Sequence, residues 1–317
     1  MALGVGQFLT AVVMSVFFTG TTSPSTCTKL KEPKKRLLLN GSISGPLSIQ
    51  QGRFLMIYNT CPFDSLCQLL ATAYIDRSTY RAAVDASKNT FMEASRFLAV
   101  YGADRNTYTK RAEALTAVLK PQTSVPMSVP KTRTRLRTSA LEYNCYGNVC
   151  QIANQLLPSE PSVVLVCCKK EMYPVLDLNA PCLLNKGPAA MQEAVEHFIS
   201  ELISENASCD DPSAELGPHL ILDVAMLSSV NARHIKKKFH REVALHEFPV
   251  ELSIKSSTFI LAGAVGHTSL GRAVSHYIAY LLRSAGQWEV ADDLTRDVRN
   301  IDNSHTVVPS LMVYVRM

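Results

Sequence analysis

Apolar residues recur at helical spacing in the stretch that follows Cys61. The stripe consists of Phe63, Leu66, Leu69, Leu70 and Ala73. Pro62 suits the first position of a helix, where its missing N–H would have had no partner. The pattern therefore predicts a helix that starts at Cys61 and buries one face.

Further helical patterns follow and define a helical lobe over about residues 50–120. They cover residues 79–86, 90–101 and 108–120, and the last of them ends before Pro121. Residues 188–205 give the clearest amphipathic pattern of the chain, with apolar side chains on one stripe and glutamates outside it. We expect that stripe to pack in the core.

Strand patterns dominate the rest and predict a sheet lobe over residues 141–317. Residues 257–265 and 275–282 are apolar and β-branched, 283–286 suit a turn, and 287–291 return as a strand that delivers Asp292. Shorter strands are expected at 162–167, 173–178, 219–226 and 248–254. Residues 121–140, with Pro126 and Pro130, are interpreted as a Pro/Ser/Thr-rich linker between the two lobes. The fold class is therefore α+β.

Three residues of this pattern have the chemistry of a cysteine hydrolase. A helix amino end favours a thiolate, which would make Cys61 nucleophilic. If the strands around the 283–286 turn pair, His276 and Asp292 meet, and a carboxylate can orient an imidazole that takes a proton from a thiol. Each residue also has a plain structural interpretation: Cys61 as a buried core residue, His276 as a solvent-facing strand residue, and Asp292 with Asp293 as turn formers.

Together these segments resemble the ubiquitin-specific protease superfamily, the peptidase C19-like enzymes. Asn59-Thr60-Cys61 matches that family's cysteine box, and His276-Tyr277 followed by Trp288 and Asp292 matches its histidine box. Residues 259–267 and 308–316 are similar to its neighbouring strands. The likeness spans about residues 50–317, but the specific motifs cover only the two ends of that span. The chain looks like a compact, divergent member, similar to shortened versions in transposon-derived animal proteins.

The resemblance implies a papain-like architecture, with a helical lobe that faces an antiparallel sheet lobe within a catalytic domain over residues 31–317. It implies Cys61 as nucleophile, His276 as general base and then acid, and Asp292 as the residue that holds the imidazole. A supporting set consists of Asn59, Asp293 and Trp288. The implied activity is a thiol-dependent isopeptidase that removes ubiquitin or a ubiquitin-like modifier from conjugates, acts as a monomer and uses no metal or organic cofactor.

Three departures from the family pattern keep an alternative open. The position five residues before the nucleophile, usually an Asn or Gln that stabilises the oxyanion, is Met56, and the residue before the histidine is Ser275 rather than Gly. The paired C-x-x-C motifs of the family's zinc-binding region are not intact among the nine cysteines, although Cys145 and Cys150 with later cysteines could form a zinc site. A catalytically inactive module that binds a ubiquitin-like protein is the second hypothesis.

Composition fits a folded domain and argues against nucleic acid as a partner. The 317 residues are 47% hydrophobic, and the net charge of +5 is too mild to indicate nucleic-acid binding. Basic clusters at residues 131–137 and 236–241 are short, and such runs are usually solvated. We expect neither a nucleic-acid nor a membrane partner.

The amino terminus conflicts with an intracellular location. Residues 1–30 contain an apolar stretch at 8–18 that is similar to the core of a signal peptide, although no basic leader precedes it and it is too short to span a bilayer. Two sequons begin at Asn40 and Asn206. Unpaired cysteines and the family resemblance favour the cytoplasm or nucleus. Export, with a secreted papain-like protease as the activity, is the alternative.

Overall fold

Helices form the first half of the described chain around one apolar centre. In the computed structural model they are α1 (Gly41–Ser44), α2 (Cys61–Asp76), α3 (Ser78–Ala86), α4 (Thr90–Tyr101) and α5 (Arg105–Val118). Asn89 and Asp104 accept backbone hydrogen bonds at the starts of α4 and α5. Gly102 ends α4 with a positive φ of 75°. The predicted helical lobe is confirmed.

The structure describes residues 37–44, 47–48, 54–122, 124–131, 134–167, 170–178, 181–207, 211–225, 242–269 and 275–317. All of these belong to one compact unit, Pro33–Met317. The apolar leader predicted for residues 1–30 and the basic cluster at 236–241 lie outside the described residues. Within the described part of the chain, no helix combines the length and the apolar character needed to cross a bilayer.

The largest sheet occupies the carboxy-terminal half. Its strands are β7 (Leu176–Asp177), β9 (His219–Asp223), β11 (Glu251–Ile254), β12 (Ser257–Ser269), β13 (Ser275–Leu282), β14 (Trp288–Asp292), β15 (Asp297–Ile301) and β17 (Pro309–Arg316). They follow the order β15-β14-β13-β12-β17-β9-β7, and β11 pairs with β12. Apart from the parallel β7–β9 pair, the pairing is antiparallel.

Smaller elements surround this sheet. They are β1 (Leu47–Ser48), β2 (Phe54–Tyr58), β3 (Ser124–Lys131), β4 (Thr134–Asn144), β5 (Val163–Val166), β6 (Lys170–Tyr173), β8 (Ser213–Leu216), β10 (Val243–Ala244) and β16 (Thr306–Val307), with the helices α6 (Val149–Leu156), α7 (Pro181–Lys186) and α8 (Met191–Glu205). The clearest amphipathic pattern thus forms α8, with its stripe in the core as expected. Helices α6 and α7 were not predicted.

Both faces of the large sheet are buried because alternate residues of each strand point to opposite sides. Val265, Leu311 and Val313 pack with the helical lobe on one face. Met312 and Tyr314 pack with α8 on the other face. The predicted α+β class, with a helical lobe on an antiparallel sheet lobe, is confirmed. The cysteine-bearing helix α2 lies against the histidine-bearing strand β13, which is the papain-like arrangement.

A glycine allows α2 to approach the sheet closely. Gly263 of β12 has φ of 149°, at a point where the register with β17 shifts. A Cβ at this position would lie 2.0 Å from the backbone oxygen of Tyr280 and 2.6 Å from a methyl carbon of Leu69 on α2. The missing side chain therefore leaves the space that Leu69 fills.

The linker predicted over residues 121–140 is wrong, because β3 and the first part of β4 form a hairpin there. Both strands join a four-stranded sheet of order β1-β2-β4-β3, in which β2 and β4 run parallel. Pro126 and Pro130 suggested a linker, but both lie on β3, at the edge of that sheet. A proline is tolerated on an edge strand because its missing N–H breaks no ladder hydrogen bond on the open side.

A buried histidine ties α3 to the sheet. His219 lies between the hydroxyl of Tyr80, at 3.3 Å from Nδ1, and the carbonyl oxygen of Glu160, at 3.2 Å from Nε2. Since a carbonyl can only accept, Nε2 carries the proton and Nδ1 accepts from the tyrosine. Burial lowers the pKa of His219 to about 4, so the ring is neutral at pH 7. This histidine has a structural role.

An ion-pair cluster joins the end of α2 to the β13–β14 turn. Arg283 donates to both carboxylate oxygens of Asp76, at 2.8 and 3.0 Å, and to Glu289 at 3.0 Å. Burial alone would raise the pKa of Asp76, but the hydrogen bonds from Arg283 outweigh it and hold that pKa below its ordinary value. The fork geometry of the guanidinium is what makes this double contact possible.

We predict that Arg283→Lys lowers the free energy of unfolding by about 1–2 kcal/mol, because a single ammonium cannot replace the fork. Urea unfolding at pH 7 measures the change. Arg299→Lys, on an exposed position of β15, is the matched control and should change stability by less than about 0.5 kcal/mol. Equal losses in the two variants would contradict the assigned role of Arg283.

Candidate active site

The amino end of α2 places Cys61 beside strand β13. Strand β2 ends at Tyr58, Asn59 turns the chain with a positive φ of 54°, and Cys61 is the first helical residue. Asparagine is one of the few residues that adopt this left-handed conformation readily. Cys61 is only 6% exposed. The helix start predicted from the sequence is confirmed.

Two contacts seat the thiol against the strand that carries His276. The backbone N–H of Tyr277 donates to the Cys61 sulfur. One helical turn further on, the Ser65 hydroxyl donates to the carbonyl oxygen of Tyr277 at 3.1 Å. The Cys61 sulfur thus lies at the peptide bond that joins His276 to Tyr277.

The surroundings of the thiol oppose its ionisation, contrary to the sequence-based expectation of a thiolate. Burial raises the pKa of Cys61 to about 12, and the nearby carboxyl groups of Asp293 and Asp64 raise it further. The N–H groups of Tyr277 and of Cys61 itself act in the opposite direction but do not compensate. Desolvation exceeds the effect of the helix amino end because the sulfur is enclosed. A thiol with so high a pKa reacts as a nucleophile only after a base has removed its proton.

His276 and Asp292 lie together as predicted. Strands β13 and β14 pair through the turn at residues 283–286, and the Nε2 atom of His276 lies 2.9 Å from Oδ1 of Asp292. Burial would raise the pKa of Asp292, but the hydrogen bonds from His276 and from the backbone N–H of Leu294 lower it. With Nε2 donating to the carboxylate, Nδ1 is the ring nitrogen left to accept a proton. The catalytic roles themselves stay predictions.

Asp293 supports the same imidazole from a buried position. Its Oδ1 atom lies 3.6 Å from Nε2 of His276, and its Oδ2 accepts from the side-chain amide of Asn40 at 3.0 Å. Burial raises the pKa of Asp293 to about 9, and the neighbouring Asp64 raises it further. We infer that Asp293 carries a proton at neutral pH and that Asp292 is the anion facing His276.

A buried network behind Asp293 was missed by sequence reasoning. Asp64, three residues after Cys61, receives hydrogen bonds from Thr60 and, at 3.1 and 3.2 Å, from Arg111 on α5. Burial raises the pKa of Asp64 despite the arginine, and Asp64 also contacts Asp293. Two carboxylates with one nearby cation hold a shared proton rather than two negative charges. The available signal was Asp64 itself, a charged residue inside an apolar helical run.

Three further residues singled out from the sequence have separate positions in the fold. Asn59 adjoins the site, but its amide nitrogen donates to Asn144 at 2.9 Å. Trp288 is buried in the apolar cluster that also contains residues of α8, so its side chain packs in the core. Met56 lies on β2 opposite Glu142 and carries no amide, as its sequence position indicated.

The group of possible metal ligands in the structure is not the one considered from the sequence, where Cys145 and Cys150 were candidates for a zinc site. Within the described residues, His276, Asp292 and Asp293 place one potential ligand atom each within 4.8 Å of one another. The two cysteines considered for zinc have other contacts: Cys145 accepts from the backbone N–H of Phe63, and Cys150 lies 3.5 Å from the carbonyl oxygen of Ser310. Three other cysteines, Cys27, Cys168 and Cys209, lie outside the described residues.

The first sequon is closed to glycosylation in the folded protein. Asn40 is 3% exposed, its amide nitrogen donates to Asp293, and its amide oxygen accepts from the backbone of Ser42. The second sequon ends at residue 208, outside the described residues.

Comparisons with known proteins give distant likenesses. No family model matches the chain. A Drosophila melanogaster protein, the 120.7 kDa protein in the NOF-FB transposable element, is 25% identical over 305 residues, which is 90% of this chain. The chain spans 27% of the length of that relative.

Solved structures that are similar to this chain include the yeast SAGA Ubp8/Sgf11/Sus1/Sgf73 DUB module, at 14% identity and a TM-score of 0.43 over 92% of this chain and 71% of that one. An essential yeast splicing factor follows at 12% identity and a TM-score of 0.38, over 86% and 73% of the two chains. The Saccharomyces cerevisiae Pan2 pseudoubiquitin hydrolase-RNA exonuclease module matches at 10% identity and 0.33, over 82% and 53%. Likeness at this level does not extend the activities of those proteins to this chain.

The raised pKa of Cys61 predicts how its alkylation depends on pH. Between pH 7 and 10 the rate of iodoacetamide modification at Cys61 should rise about tenfold per pH unit without a plateau, because only the thiolate reacts. Peptide mapping by mass spectrometry measures this rate. A cysteine-containing peptide in the same tube should level off above its ordinary pKa of about 8.5. A plateau for Cys61 below pH 7 would instead reveal a resting thiolate–imidazolium pair.

The protonated state of Asp293 predicts a pH-dependent loss of stability. The folded protein keeps a proton that the unfolded chain releases above an ordinary pKa of about 3.9. Stability contributed by this group is therefore full below that pKa and falls as the pH rises towards about 9. In Asp293→Asn an amide takes the place of the protonated carboxyl, so the decrease in Tm between pH 5.5 and 8.5 should be smaller than in the wild type.

Asp297→Asn, at an exposed position of β15, is the control and should keep the wild-type decrease in Tm. An Asp293→Asn variant whose Tm decreases as steeply as that of the wild type would show that Asp293 is ionised in the folded state.

Proposed function

We propose that this chain is a thiol-dependent hydrolase that removes ubiquitin or a ubiquitin-like modifier from conjugates. The observation that supports the proposal is the packing of helix α2 against strand β13, and of β13 against β14, since these elements carry Cys61, His276 and Asp292. The Cys61 sulfur accepts from the N–H of Tyr277, and the ring of the preceding residue, His276, is held by Asp292 at 2.9 Å. A thiol, an imidazole and a carboxylate that orients the imidazole form the catalytic triad of a cysteine hydrolase.

The proposed mechanism begins with a proton transfer. Nδ1 of His276 takes the thiol proton as Cys61 attacks the carbonyl carbon of the modifier's terminal glycine. Asp292 stabilises the imidazolium that forms, and the backbone N–H of Cys61 donates to the oxyanion. His276 then returns the proton to the leaving lysine amine. Water, activated by the same ring, hydrolyses the thioester and releases the modifier.

The substrate class and family rest on sequence motifs. Asn59-Thr60-Cys61, His276-Tyr277, Trp288 and Asp292 resemble the boxes of ubiquitin-specific proteases, in the same order along the chain. The match to a protein of a transposable element supports an origin in a mobile element. On this basis we propose a compact, divergent, monomeric enzyme of the ubiquitin-specific protease type.

A location in the cytoplasm or nucleus suits the described residues better than export. Free thiols are found at Cys61, Cys67, Cys145, Cys150 and Cys182, and such thiols are typical of reducing compartments. The buried amide of Asn40 cannot act as a glycan acceptor without local unfolding. Both observations weigh against a secreted papain-like protease.

A binding module without catalysis is the second candidate. The Cys61 thiol has a pKa of about 12, and Cys61 is 6% exposed, so substrate access requires local movement. Met56 stands where the family places its oxyanion donor. These features suit a protein that recognises a ubiquitin-like partner and does not cleave it.

A ubiquitin that carries a carboxy-terminal electrophile separates the two candidates. We predict that it labels the wild type and Cys182→Ala, the matched control on α7, and that Cys61→Ala abolishes labelling. Hydrolysis of ubiquitin with a fluorogenic leaving group should fall roughly 10²–10⁴-fold in kcat in Asp292→Asn, because the imidazole loses its orienting anion.

Labelling that survives in Cys61→Ala would remove Cys61 from the mechanism. Binding of ubiquitin or a ubiquitin-like protein in calorimetry, with no labelling of the wild type by any of them, would establish the non-catalytic module instead.

A further inference from the structure

The proposed reaction needs a side-chain donor for the oxyanion, and the expected position does not supply one. Met56 has a thioether, and the amide nitrogen of Asn59 already donates to Asn144. Removing one such donor from a hydrolase typically lowers kcat by about 10²–10³. An amide with free N–H groups near the amino end of α2 could take this role.

Asn144 lies at the required edge of the small sheet. It is the last residue of β4 and pairs in parallel with Tyr58, the last residue of β2. Only Asn59 and Thr60 separate Tyr58 from Cys61. The carboxyl end of β4 therefore lies alongside the segment that enters the catalytic helix.

The residue after Asn144 fixes this placement. The backbone N–H of Cys145 donates to the carbonyl oxygen of Tyr58 at 3.0 Å, and the sulfur of Cys145 accepts from the N–H of Phe63 in the first turn of α2. The end of β4 is thus bonded both to the segment before Cys61 and to the turn after it.

The hydrogen bonds of the Asn144 side chain define which end of the amide is available. Its Oδ1 atom accepts from the backbone N–H of Tyr146 and from Nδ2 of Asn59, both at 2.9 Å. Because a backbone N–H can only donate, the atom that it meets is the oxygen, and the nitrogen lies at the opposite end. Within the described residues, Nδ2 of Asn144 makes no hydrogen bond, and the side chain is half-buried, so it is open to a substrate.

We propose that Asn144 is the side-chain oxyanion donor of this site, an inference that rests on the proposed hydrolase function. As the Cys61 sulfur bonds to the carbonyl carbon, the π-electron pair moves to the oxygen, which accepts from Nδ2 of Asn144 and the backbone N–H of Cys61. On collapse that pair re-forms the carbonyl, the carbon–nitrogen bond breaks, and the leaving amine takes its proton from His276. Asn59 is a positioning residue that orients the Asn144 amide.

The test compares Asn144→Ala with the wild type and with Asn300→Ala, an exposed control on β15. On ubiquitin with a carboxy-terminal fluorogenic amide, Asn144→Ala should lower kcat by about 10²–10³ with KM changed by less than about threefold. The rate of Cys61 alkylation by iodoacetamide should stay at the wild-type value, because attack on a saturated carbon forms no oxyanion. Asn59→Gly, which keeps the positive φ, should lower kcat by only about threefold to tenfold, because the bond from Tyr146 remains.

Each other outcome overturns the assignment. A kcat for Asn144→Ala within threefold of the wild type would exclude Asn144 as the donor while leaving the hydrolase function intact. A kcat loss accompanied by an equal change in alkylation rate would show that Asn144 acts on the thiol or on folding. A wild type that hydrolyses neither ubiquitin nor a ubiquitin-like substrate would refute the proposed function, and the donor role with it.

Discussion

The seating of α2 on strand β13 is the constraint on which the rest of the structure depends. Ser65 and Tyr277 are 212 positions apart, yet their hydrogen bond and the one from the Tyr277 N–H to the Cys61 sulfur fix helix to strand at one point. The approach is close because Gly263 leaves room for Leu69. Without this contact between α2 and β13, the thiol and the imidazole would lie in separate lobes. The conformational entropy lost in ordering these distant segments would then bring no groups together at the site.

Burial then determines the electrostatics of the site. Enclosing Asp64 and Asp293 with Arg111 leaves one negative charge more than the single cation can balance, and a shared proton removes that excess. The same enclosure raises the pKa of the Cys61 thiol and so opposes its ionisation.

The periodicity of apolar residues predicted the helices, strands and turns that depend on neighbours in sequence. It did not predict the side-chain contacts between residues far apart in the chain. The α2 and β13 patterns and the turn before Trp288 are local, so the meeting of His276 with Asp292 could be foreseen. The arginine that pairs with Asp64 comes from α5, and the amide that bonds Asn144 comes from Asn59, before Cys61, so no local pattern revealed these contacts. The thiolate prediction was wrong because a helix amino end acts on Cys61 less strongly than the desolvation that the sheet imposes.

The two prolines of β3 have a consequence for how the molecule meets other copies of itself. An open sheet edge can recruit a strand from another chain through its backbone donors and acceptors. Pro126 and Pro130 have no N–H group, so β3 offers fewer backbone donors to another chain than a strand of the same length without proline. A segment that composition alone would assign to a flexible spacer thus forms a sheet edge whose composition disfavours pairing with another strand.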